Sequence, residues 1–87
     1  MIRQIEFWRV FAAQVESHIE NYVVPQYGDE GDDLATDYTA ADCVRQAEKY
    51  LKRFGRSSRL GEEARDLMKA AHYIQKAARK IAQATGA

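Results

Sequence analysis

Apolar residues along the first third of the chain recur at alternating spacings of three and four. Ile5, Trp8, Ala12, Val15, Ile19 and Tyr22 keep this rhythm, which lines one face of a helix predicted over about residues 2–24. Phe7, Val10, Phe11 and Val23 widen the apolar surface beyond that stripe. Pro25, the only proline, is predicted to stop the helix, because its ring disfavours helical geometry in the residue before it. About 23 residues at about 1.5 Å each give a rod of roughly 34 Å. A helix so long and so apolar wants more cover than one short partner supplies, and a homodimer is the simplest remedy.

The pattern then breaks. Residues 26–38 read as a loop, with Gly28 and Gly31 for tight backbone geometry and aspartates that favour turns. A second helix is predicted over about 40–54: the Thr39 hydroxyl can cap its first amides, with Asp42 three residues on in a capping-box arrangement. Its expected apolar face is Cys43, Ala47, Tyr50, Leu51 and Phe54, and Gly55 is placed to end it in a left-handed cap. A third helix, about 61–84, carries the stripe Ala64, Leu67, Met68, Ala71, Ile74, Ala78 and Ile81. Glu62, Glu63 and Asp66 crowd its positive end, and Lys76, Arg79 and Lys80 lie toward its negative end. The expected fold is therefore all-α: one domain over 1–87, with long helices one and three and a shorter helix two.

Composition agrees with an ordinary globular chain, 46% hydrophobic and 30% charged. Arg3, Glu6 and Arg9 interrupt the apolar N-terminus, so neither a membrane span nor a signal peptide is expected. A single cysteine, Cys43, allows no intrachain disulfide and points to a reducing, cytoplasmic setting.

Charge changes the picture more. Net charge is zero, yet Asp29, Glu30, Asp32, Asp33, Asp37 and Asp42 occur with no basic residue among them. Arg45, Lys49, Lys52, Arg53, Arg56 and Arg59 come next, against Glu48 alone. Lys49, Lys52 and Arg53 share a helical sector, and Arg56, Ser57 and Arg59 add donors in the adjoining turn. Lys49, Lys52, Arg53, Arg56, Ser57 and Arg59 thus form a candidate surface for nucleic-acid phosphates or a nucleotide. The competing reading is mutual neutralisation: the acidic stretch covers the basic one, within a chain or across a dimer. Arg53 and Asp66 are expected partners across the helical pair, fixing its register. Tyr50 and Tyr73 offer base-stacking rings if exposed, and core packing otherwise.

Other chemistries find less support. The aspartates around Asp29–Asp33 lack the register of a calcium loop. His18 and His72 have no nucleophile or zinc partner in the pattern, and no catalytic residue is assigned. Glu63-x-x-Asp66 followed by an apolar helix resembles the second half of the magnesium motif of MazG-type nucleoside triphosphate pyrophosphohydrolases. That resemblance implies an enzyme using Glu48, Glu63 and Asp66 around Mg; without it, no cofactor is expected.

A second resemblance covers about 30 residues. Lys49-Tyr50-Leu51-x-Arg53-x-Gly55-Arg56, followed by Asp66-Leu67-x-Lys69-Ala70-x-x-Tyr73-Ile74, resembles a small uncharacterised helical domain of tailed phages and prophages. Tyr27-Gly28-Asp29 is similar to a short motif in helical proteins linked to nucleotide modification. Together they imply a non-enzymatic phage-type protein meeting nucleic acid or a phosphorylated partner, with Tyr50, Leu51, Leu67, Ala70 and Ile74 packing its helices together. The alternatives are the divergent pyrophosphohydrolase and a purely structural oligomer.

Overall fold

The computed structural model describes residues 2–27, 37–56 and 58–85. They are mostly helical, with no strand among them, and build three helices. Asp29, Glu30, Asp32, Asp33 and Ser57 lie outside the described residues, and so does any cover of the basic stretch by those acids. The chain divides into two compact units, Met1–Asp32 and Asp33–Ala87.

In the first unit α1 spans Arg3–His18. A π-helical turn, Ile19–Val23, continues it, marked by the Val24 N–H reaching back to the Ile19 carbonyl. A short α2, Val24–Tyr27, completes one unbroken helix. Pro25 therefore does not end the helix, contrary to the expectation from the sequence pattern. Proline has no N–H for the carbonyl four residues back, here Asn21, and its ring presses on that group. The wider π turn immediately upstream relieves this pressure, which is a common way for a helix to pass a break in its ladder.

The second unit is a helical hairpin of α3 (Ala40–Arg53) and α4 (Glu62–Thr85). The Thr39 capping box forms as expected: the Asp42 N–H donates to Thr39 Oγ1 at 3.1 Å and the Thr39 N–H donates to Asp42 Oδ2 at 2.9 Å. Gly55 takes φ +78° just past the end of α3, and Gly61 takes φ +81° just before α4. Both need the left-handed region that a Cβ disfavours.

The seam between α3 and α4 uses small residues. Cys43 and Ala47 from α3, with Ala70 and Ala77 from α4, are its buried apolar members. Across the same seam the Tyr50 and Tyr73 rings stack at 5.9 Å, 17° from parallel. Leu51, Phe54, Leu67, Ile74 and Ile81, expected to pack, are exposed; Ile74 is 54% so. α4 instead turns the line Asp66–Ala70–Tyr73–Ala77 toward α3. Small side chains let the backbones approach closely, and the ion pair at the turn end holds this rotation.

Candidate functional site

Arg45, Lys49 and Lys52 succeed one another at spacings of four and three, which stacks them along one side of α3, and Arg56 follows just past its end. With Glu48 and Arg53 they line a groove of about 480 Å³. A second hollow of about 330 Å³ adjoins it, lined by Arg53, Arg56, Arg59 and Glu62. The structure thus brings together Lys49, Lys52, Arg53, Arg56 and Arg59 of the expected surface. It adds Arg45, whose position one turn before Lys49 is the signal that could have found it. Ser57 is outside the described residues.

These cations differ in what already holds them. Arg53 is the most committed. Its Nε and Nη2 donate to Asp66 Oδ1 at 3.2 and 2.9 Å, and Nη2 also donates to Glu62 Oε1 at 3.0 Å. Asp66 is 1% exposed, whereas the Arg53 side chain, 39% exposed, still faces the groove. The Asp66 hydrogen bond, with the nearby charges of Asp66 and Glu62, holds the guanidinium above its ordinary pKa, while partial desolvation works the other way. Glu62 also accepts from Arg65 Nη1 at 3.0 Å. Arg45 pairs with Asp42. The Asp42 carboxyl is held below its usual value first by the Thr39 N–H, then by the Thr39 hydroxyl and Arg45.

Lys49, Lys52 and Arg56 form no ion pair among the described residues. Lys49 Nζ lies 5.3 Å from the Tyr50 ring centre, which Arg53 and Lys69 also approach, at 5.3 and 5.4 Å. Tyr50 and Tyr73 are half-buried and stacked on one another, so they pack the hairpin.

Glu48, Glu63 and Asp66 are not gathered. Glu48 lines the basic groove, Glu63 is exposed at the start of α4, and Asp66 is buried against Arg53. Among the described residues no three of His, Cys, Asp and Glu form a group that could hold a metal ion. Cys43 is a fully buried free thiol, and His18 stacks on Tyr22 at 5.2 Å. No described helix is long and apolar enough to cross a membrane.

No protein-family model matches the chain, and no curated protein or solved structure matches it significantly.

Proposed function

We propose that this chain is a non-enzymatic binding protein of the kind phages and prophages carry, and that the basic side of α3 receives the phosphates of a nucleic acid. One observation carries the reading. In a chain of zero net charge, Lys49, Lys52 and Arg56 stand side by side along one groove and make no ion pair among the described residues. Arg53, fixed by Asp66, adds a guanidinium of set orientation beside them. Such a row supplies charge and position without base recognition, so the expected binding is backbone-directed and tolerant of sequence.

The test is binding to a labelled duplex and to a labelled single strand across a salt series. Affinity should fall steeply with salt, and each of Lys49→Ala, Lys52→Ala and Arg56→Ala should flatten that dependence by about one unit or less of log–log slope. Absent or salt-insensitive binding would remove the reading. Binding to a phosphopeptide and to neither nucleic acid would move the same surface to a phosphorylated protein partner.

A further inference from the structure

α1 is the largest uncovered apolar feature of the first unit: none of its residues is buried, and Trp8 is 64% exposed. The Trp8 and Phe11 rings are tilted against one another, centres 5.8 Å apart, and Ile5, one turn before Trp8 on the same face, is 43% exposed. We infer that this face is covered by the same face of a second copy, laid antiparallel in one particular register.

The stripe Ile5, Trp8, Ala12, Val15 and Ile19 has the seven-residue repeat of a two-helix seam. Place the two-fold axis between Ala13 and Gln14. Trp8 of one copy then meets Ile19 of the other, and Ala12 meets Val15, each pairing occurring twice. The bulkiest side chain is matched to a medium one at the ends, and the smallest sits near the centre. These contacts use α1 and the first residue of the π turn only.

Charge selects the register. Arg9 and Glu16 flank the stripe on the same side, both exposed and neither in an ion pair among the described residues. In this arrangement Arg9 of one copy and Glu16 of the other fall between the same two layers, and symmetry repeats the pair. A slip of one heptad in either direction sets Arg9 against Arg9 or Glu16 against Glu16. A parallel pairing brings Arg9 opposite Gln4 and Glu16 opposite Phe11, with no ion pair gained. Flanking charges of this kind set partner and orientation in helix pairs.

The test is sedimentation equilibrium of the full chain, with Trp8, the only tryptophan, as a fluorescent reporter of cover. The wild type should dimerise, with Trp8 emission shifting to the blue as concentration rises. Arg9→Glu and Glu16→Arg should each weaken the dimer about tenfold, since each turns two attractive pairs into repulsive ones. The double variant Arg9→Glu/Glu16→Arg should restore it. Under mild oxidation, Ala12→Cys mixed with Val15→Cys should cross-link between the two chains and neither should cross-link alone; buried Cys43 stays silent. Circular dichroism confirms that each variant keeps its helix. A monomer at every concentration, failure of the double variant to restore pairing, or cross-linking by Ala12→Cys alone would each overturn the inference. So would a Trp8 shift on anionic or neutral lipid vesicles without self-association, which would assign the face to a membrane surface.

Discussion

Arg53 and Asp66, 13 residues apart in sequence, meet through two N–H groups that converge on one carboxylate oxygen, Nε at 3.2 Å and Nη2 at 2.9 Å from Oδ1. The pair closes the turn end of the hairpin and sets which side of α4 faces α3. Asp66→Ala should destabilise the hairpin by about 1–3 kcal/mol, because it removes a buried hydrogen-bonded partner and leaves a gap. Desolvating a carboxylate that is 1% exposed offsets much of what the pair contributes. The double change Arg53→Met/Asp66→Leu should therefore recover most of the loss. Urea unfolding monitored by circular dichroism reads both.

The seam should respond to volume where the outer stripe does not. Ala70→Leu forces a large side chain between backbones in close approach and should cost about 1–3 kcal/mol. Ile74→Ala, at an exposed position, should change stability by about 0.5 kcal/mol or less within the hairpin. Thermal melts of the two variants compare them directly. The reverse order would mean that the Leu67–Ile74–Ile81 line is the true packing face.

Gly55 and Gly61 carry φ of +78° and +81°, and a Cβ built on either meets nothing within 4 Å. Any cost of alanine there is conformational and not steric crowding by neighbours. Gly55→Ala and Gly61→Ala should each lose about 1 kcal/mol. Asparagine, which tolerates this region better, should lose less. The measurement is the midpoint of urea unfolding.

Asp42 gives a pH signature. Its folded carboxyl lies below the ordinary 3.8, chiefly through the Thr39 N–H. A depressed folded value means that the cap's contribution is complete above the ordinary carboxylate range and disappears as pH falls through the folded value. The stability difference between wild type and Asp42→Ala should therefore be constant at neutral pH and close in acid below that ordinary value. A gap persisting unchanged to the most acid conditions would contradict the ionised cap.

The local chemistry of the hairpin was legible in the sequence. Thr39 with Asp42, Gly55 after α3, and the Arg53–Asp66 pair all derive from spacing and side-chain type, and all are found. What spacing could not convey was the rotation of α4. Leu67, Ile74 and Ile81 are the larger apolar residues and attract the eye. Close approach is decided instead by where Ala70 and Ala77 coincide with Cys43 and Ala47, a property of two helices together. Pro25 misled for a related reason: its rule concerns an ideal α-helix and takes no account of a turn that can widen. The basic surface was visible as a run of charge. Its division into Arg45 and Arg53, tied to acids, and Lys49, Lys52 and Arg56, not so tied among the described residues, needed the fold.

The π turn at Ile19–Val23 shifts the apolar line by one residue. An unbroken α-helix with this repeat would carry that line on through Tyr22. By taking in more residues per turn, the π segment brings Val23 under Ile19 in its place, and Val23 is buried where Tyr22 is 42% exposed. The regular repeat from Ile5 to Ile19 thus has a length of about 21 Å. Pro25, six residues beyond, leaves that span untouched without ending the helix, much as a notch marks a measure on a rod that continues past it.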